Sequence, residues 1–225
     1  MAKNEVAGAV HLADAGVTRG SGKRRRRSQG ERSEEMRERV AHATFEVIAA
    51  RGFSGLRTAA VAEQAGVSQG ALLHHFETKD GLTLATVEYA FARASAKTEQ
   101  IIEAGLAKGE DPIDLMLNDF RLYFFNDDFW VSLDITINAS KDPELRGGIR
   151  EIVPRYRLGV YRRWVDILSE NGWSTTDAQE IVRMSAAITT GLGIRTLFDD
   201  VDAYLNPTLL KWRKMIADTW PRKKS

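Results

Sequence analysis

The chain has 225 residues, 43% hydrophobic and 28% charged, with a formal net charge of +1. These are values of an ordinary globular protein of one or two packed domains, not of a collagenous or wholly disordered chain. It contains no cysteine, which excludes a disulfide framework and a thiolate metal centre. Residues 1–18 lack the basic-then-apolar order of an export signal, and no apolar run approaches the roughly 20 residues that span a bilayer. No membrane partner is expected, and the cytoplasm is the expected location.

Residues 1–32 carry no apolar periodicity but hold Gly, Ser and a basic run at 23–27, and read as a disordered basic arm. Such an arm is either a solvated tail or a strand of charge that follows a DNA backbone or enters the minor groove. From Ser33 onward a first helix is expected, with Met36, Val40, Ala43 and Val47 at helical spacing and a glycine stop at Gly52 before Phe53. The run from Gly55 to Phe76 then reads as two short helices. Val61, Ala62 and Ala65 give the first an inward face, Gly66 ends it, Ser68 caps the second and Leu72 anchors it. That is a helix-turn-helix, whose second helix is held at an angle that enters a major groove. Charge division agrees: through Leu82 basic residues exceed acidic by 3, and beyond it acidic exceed basic by 2.

The order Thr58, Ala65-Gly66-Val67-Ser68, Gly70-Ala71-Leu72, His75-Phe76 and Thr78-Lys79, within a match from about Val40 to Leu82, closely resembles the DNA-binding region of the tetracycline-repressor (TetR) family of bacterial regulators. The resemblance implies a homodimer that binds palindromic double-stranded operator DNA through this head and releases it when a variable helical domain takes a small-molecule effector. It also implies that Gln69 and Ala71, with Gly70 between them, face base edges, where glutamine pairs with adenine and an alanine methyl touches that of thymine. Thr58, His75 and Lys79 stand where family members touch phosphates. Leu73 stands where many relatives carry a tyrosine that reaches DNA, and Ala59 where some carry a base-reading arginine, so Arg57 and the arm are expected to supply more of the affinity. Ser68 and His74 complete the expected DNA-binding set.

Beyond the head a long helix is expected from Lys79 to about Leu106, with Leu82, Ala85, Tyr89 and Ala92 on one face. Asp111-Pro112, Asp142-Pro143 and Asn206-Pro207 each offer a capping side chain before a proline at the first helical position. Ser174 with Asp177 starts a further helix to about Phe198, and Pro154 is expected to kink or divide the helix begun at Pro143. The architecture is therefore all-α with about nine helices: a three-helix DNA-binding domain over 33–80 and a helical effector-binding and dimerisation domain over 81–225. Six aromatics lie between positions 120 and 130, more than one helix face holds. Phe120, Phe124 and Trp130, opposed by Tyr156, Tyr161 and Trp164, are expected to line a cavity for an apolar or aromatic effector, with Arg121, Asn138 or Arg195 as polar anchors. Ala186, Ala187, Gly191 and Gly193, together with Trp212, Ile216 and Trp220, resemble the family's two-helix dimer face; packing within one chain is the alternative.

Enzymatic readings fail on context. Gly66-Val67-Ser68-Gln69-Gly70 fits a nucleophile-elbow pattern, but that elbow needs a preceding strand and a later histidine, and no histidine follows His75. Adjacent His74 and His75 project about 100° apart on a helix and chelate poorly, and Gly191-Leu192-Gly193 lacks the third glycine of a dinucleotide loop. No metal, cofactor or catalysis is expected. An activator, a DNA-binding protein without effector, or a helical enzyme or small-molecule-binding protein with an incidental helix-turn-helix are the competing readings.

Overall fold

The computed structural model describes residues 28–139 and 141–223, which form nine α-helices, one 3₁₀ turn and no strand. The basic run at 23–27 lies outside the described residues. Helix α1 (Gln29–Arg51) starts four residues before Ser33. Its start is set by hydrogen bonding rather than by apolar spacing. The Ser28 hydroxyl accepts from the Glu31 N–H at 3.1 Å, and the Glu31 carboxylate accepts from the Ser28 N–H at 2.6 Å, a reciprocal capping box. Residues 29–32, assigned by sequence to the arm, are therefore helical.

After α1 come a 3₁₀ turn (Phe53–Gly55), α2 (Thr58–Ala65) and α3 (Gln69–His75). Gly66 sits at φ 63°, ψ 40°, the left-handed conformation that ends α2. The Ser68 hydroxyl accepts from the Ala71 N–H at 3.1 Å to start α3. Helix α4 (Lys79–Ala107) begins at a Thr78 cap. Its deepest face is not the expected one: Ala85, Tyr89 and Ala92 are half-buried, whereas Thr83, Thr86, Val87, Ala90 and Phe91 are buried. Periodicity missed the threonines because each hides its hydroxyl within the helix, Thr83 donating to the Lys79 carbonyl and Thr86 to the Leu82 carbonyl, both at 2.8 Å.

Helices α5 (Pro112–Phe124), α6 (Asp127–Ala139), α7 (Pro143–Glu170), α8 (Thr175–Arg195) and α9 (Asp202–Thr219) complete the body. Asp111, Asp142 and Ser174 cap as their spacing predicts. Pro154 lies within α7 without dividing it. The proline at Pro207 misled: α9 starts at Asp202, and Pro207 is inside it. Burial of Leu205 against Leu192 and Leu209 extends the helix backward, with the N–H groups of Tyr204 and Leu205 donating to the Val201 carbonyl at 3.0 and 2.8 Å. The cost is one backbone bond in the second turn.

Apolar burial gathers in two large cores. One joins Phe45, Val61, Leu72 and Leu82 to Val131 and Ile135 of α6 and Ile149 of α7, so the head's core continues into the body. The other packs Phe120 and Phe124 against Trp164, Ile181, Trp212 and Ile216. This corrects part of the expected dimer face, turning Ala186, Gly193, Trp212 and Ile216 inward. Trp212 is buried and donates from Nε1 to Ser185 Oγ at 2.9 Å, and Trp220 Nε1 reaches Glu180. Gly193 serves the same interior, since a Cβ there would sit 2.7 Å from the Phe124 carbonyl oxygen. Ala187 and Gly191 of that expected face stay exposed on α8, as do Met184 of α8 and Leu210 and Met215 of α9.

Candidate nucleic-acid interface and ligand cavity

Helix α3 has only Leu72 buried, and this single anchor leaves Gln69, Gly70, Leu73 and His74 facing solvent. Ala71 and His75 are half-buried. Gln69 Nε2 donates to Thr58 Oγ1 at 3.2 Å, tying the starts of α2 and α3 together. A Cβ at Gly70 would meet nothing within 4 Å, so the helix presents bare backbone where a ligand could approach closely. Arg37 of α1 holds the far end, donating to the His75 carbonyl at 3.0 Å with its guanidinium 4.7 Å from the Phe76 ring centre. Arg57 is exposed and donates to the carbonyls of Ser54 and Leu56 at 2.8 and 3.0 Å. Lys79, also exposed, places its ammonium 5.1 Å from the Phe53 ring centre. The head thus offers a protruding helix flanked by a hydroxyl, an imidazole and two cations, the donor types that phosphates accept.

In the body a cavity lies between α4, α5 and α7, with about 390 Å³ of atom-free space, part of it open to solvent. Phe91, Ala94, Ser95 and Thr98 come from α4, Asp119, Phe120, Tyr123 and Phe124 from α5, and Tyr156, Arg157, Val160 and Tyr161 from α7. A groove between α6 and α7, beside Pro154, shares Phe91, Tyr123 and Arg157 with it. Asp119 is buried, accepting from Thr98 Oγ1 and Trp164 Nε1, each at 2.9 Å. Burial pushes its carboxyl above the ordinary range, and those two hydrogen bonds only partly offset the shift. Burial likewise raises the Tyr123 phenol, against a smaller opposing pull from Arg157. Arg157 Nη2 donates to the Tyr161 hydroxyl at 2.5 Å, and its guanidinium lies 5.8 Å from the Phe124 ring centre.

Comparison with known proteins identifies the head. The family model described as "Bacterial regulatory proteins, tetR family" matches residues 41–86. The HTH-type transcriptional regulator CymR of Pseudomonas putida is 37% identical over 174 residues, covering 77% of this chain and 85% of CymR. The chain belongs to the TetR family. A second relative in sequence, the HTH-type transcriptional regulator PksA of Bacillus subtilis, is 24% identical over 75% of this chain and 82% of PksA. A transcriptional regulator of Rhodococcus sp. Rha1 shares the fold at a TM-score of 0.67 and 22% identity, with 84% of this chain and 99% of that one aligned. This TetR-family chain is a transcriptional regulator.

The structure divides the residues singled out by sequence. In this TetR head all ten lie on α2, α3 or the residues that flank them, and the Ser68 side chain is engaged as a cap. In the body Phe120, Phe124 and Tyr161 line the cavity, and Trp164 stands one layer behind, bonded to Asp119. The remaining four do not reach it. Trp130 packs edge-on against Phe129, their centres 5.3 Å apart, because a break after Phe124 puts it on α6. Arg121 donates to Asn118 at 3.0 Å, and Asn138 to the Asp134 carbonyl and carboxylate at 2.8 Å. Arg195 ends α8 in contact with Asp199 and the Tyr204 hydroxyl. Phe91, Thr98, Asp119 and Arg157 also line the cavity and were not singled out by sequence, since no motif or apolar stripe marks them.

Helix α6 packs on both α4 and the head. Its buried Asp128 takes Lys97 of α4 at 2.5 Å, while Arg93 Nε lies 2.9 Å from the other oxygen but out of line for a hydrogen bond. Arg93 also stacks on Phe45 of α1, 4.5 Å from the ring centre. Among the described residues no helix is long and apolar enough to cross a membrane, and no group of three or more His, Cys, Asp or Glu gathers as a metal site.

Proposed function

We propose that this TetR-family regulator is a repressor that binds a palindromic operator as a homodimer and releases it when a small apolar or aromatic effector fills the cavity between α4, α5 and α7. The observation that carries the reading is the path of α4. One helix begins with Lys79 beside the recognition helix and, three to five turns later, supplies Phe91, Ala94, Ser95 and Thr98 to the cavity. A ligand with different affinity for two settings of α4 shifts the population between them, and with it the spacing of two heads. Within the head, Gln69 and Ala71 read base edges, while Arg57, Thr58, His75 and Lys79 position the protein on phosphates. Gly70, Leu73 and His74 complete the apposed surface, and the basic run at 23–27 adds charge along the backbone. The exposed Met184, Leu210 and Met215, with the small Ala187 and Gly191, suit α8 and α9 to pack on the same pair of a second copy.

The test is selection of DNA from a random library by the full-length protein, followed by footprinting across a salt titration. Two protected half-sites in inverted repeat are expected, with affinity falling steeply as salt rises. Retention of DNA without sequence preference would sink the operator reading.

A further inference from the structure

Arg157 lines the cavity and has no counterion among the described residues. Several arginines of the body have carboxylates: Arg93 meets Asp128, Arg155 meets Glu88, Arg163 meets Glu99 and Arg213 meets Asp114. Among the described residues Arg157 pairs with no acid, and its one hydrogen bond goes to the neutral Tyr161 hydroxyl. It is half-buried, with the rings of Phe124 and Tyr161 5.8 and 5.5 Å from its centre. A guanidinium stays charged and carries five donors in a planar fork. Holding such a group partly out of water without an anion costs stability, and a carboxylate entering the cavity removes that cost by accepting two of the free donors.

We infer that the effector is a small aromatic or aryl-aliphatic carboxylate, its anionic end held by Arg157 and its body by the rings of Phe120, Tyr123, Phe124 and Tyr161. The inference rests on the proposed effector role of this cavity and deepens it. Edge-to-face contacts already line the rings up, Phe120 with Tyr161 at 6.0 Å and Tyr123 with Phe124 at 5.0 Å, and such rings accept another ring in the same way. A single cation suits a monoanion better than a phosphate dianion. A cationic ligand would meet repulsion from Arg157. Asp119 does not pair with the arginine: its oxygens accept from Thr98 of α4 and Trp164 of α7 instead. Arg157 is therefore a specificity-determining residue that sets charge, while the rings set shape.

The experiment is titration calorimetry of the full-length protein with 4-methylbenzoate, phenylacetate and 3-phenylpropionate, each beside its primary amide. At least one acid should bind about tenfold or more tightly than its amide, the size of a charge-assisted hydrogen bond. Arg157→Gln should remove that preference, weakening the acids more than the amides, and Arg157→Lys should restore part of it. The acid–amide comparison on the wild type needs no variant, so it stands even if Arg157→Gln folds poorly. Ala94→Phe fills the cavity and should abolish binding of acid and amide alike. If amides bind as tightly as acids and Ala94→Phe abolishes both, the carboxylate inference falls while the cavity reading survives. Binding that ignores Ala94→Phe, or no binding by any acid or amide, overturns both.

Discussion

The backbone N–H of Phe53 donates to the Asp134 carboxylate at 2.6 Å. Phe53 belongs to the turn that closes α1, and Asp134 to α6, so one hydrogen bond crosses from the reading head to the body 81 residues later. The same carboxylate is steadied by Asn138, and the Phe53 ring carries Lys79 above it. A displacement of α6 therefore pulls on the turn that precedes α2.

Asp134→Ala should lower unfolding stability by about 1–3 kcal/mol, the cost of leaving a part-buried donor without its partner. Chemical denaturation measures it. The variant should retain operator binding yet respond less to effector, because one of the links between α6 and the head is lost. An unchanged denaturation midpoint would show that solvent replaces the carboxylate at no cost.

Gln69→Ala and Lys79→Ala should differ in kind. Loss of Gln69 should weaken binding at particular operator positions, since base contacts specify. Loss of Lys79 should weaken binding to every sequence and reduce the salt slope by about 1. Mobility-shift titrations on operator and random duplexes separate the two, and equal losses for Gln69→Ala on both duplexes would remove it from the base-reading set.

Asp119 should write a signature into acid stability. Its folded carboxyl titrates above the ordinary 3.8 because burial penalises the charge. A raised value means that its contribution is full below about 3.8 and is lost as pH rises through the folded value. The unfolding free energy of the wild type, relative to Asp119→Asn, should thus fall as pH climbs from 3.8 and then level off. Urea unfolding at stepped pH reads this difference; a difference that rises with pH would contradict the burial account.

On α9 two neighbours should behave oppositely. Leu210 is 67% exposed, and Leu210→Asp with Met184→Asp should shift the protein from dimer to monomer in sedimentation while each chain stays folded. Trp212 is 4% exposed, and Trp212→Ala should cost about 3–5 kcal/mol of stability through the cavity it leaves. A Leu210 variant that remains dimeric would move the partner contact elsewhere.

Much of the secondary structure was legible because its causes are local. Gly66 and Ser68 break and restart the chain within three residues, and the Asp-Pro pairs at 111 and 142 cap their own helices. These signals need no distant partner, so the helix-turn-helix and most helix starts follow from the residues alone. The same holds for the protruding surface of α3, since a helix of that length with one apolar anchor has only one side to bury.

Tertiary structure decided the rest. Pro207 looked like a helix start, and burial of Leu205 overrode it. Trp212, Ile216 and Trp220 are apolar at helical spacing whichever partner covers them, and only packing on α8 showed that the partner lies within the chain. The cavity was the least legible feature. Periodicity says that Phe91, Asp119 and Arg157 belong to helices, but which sides of α4, α5 and α7 turn toward one another depends on how long helices cross. That crossing is fixed by contacts such as Gly193 against Phe124 and Asp134 against Phe53, between residues 69 or more positions apart, and no local pattern in the sequence encodes it.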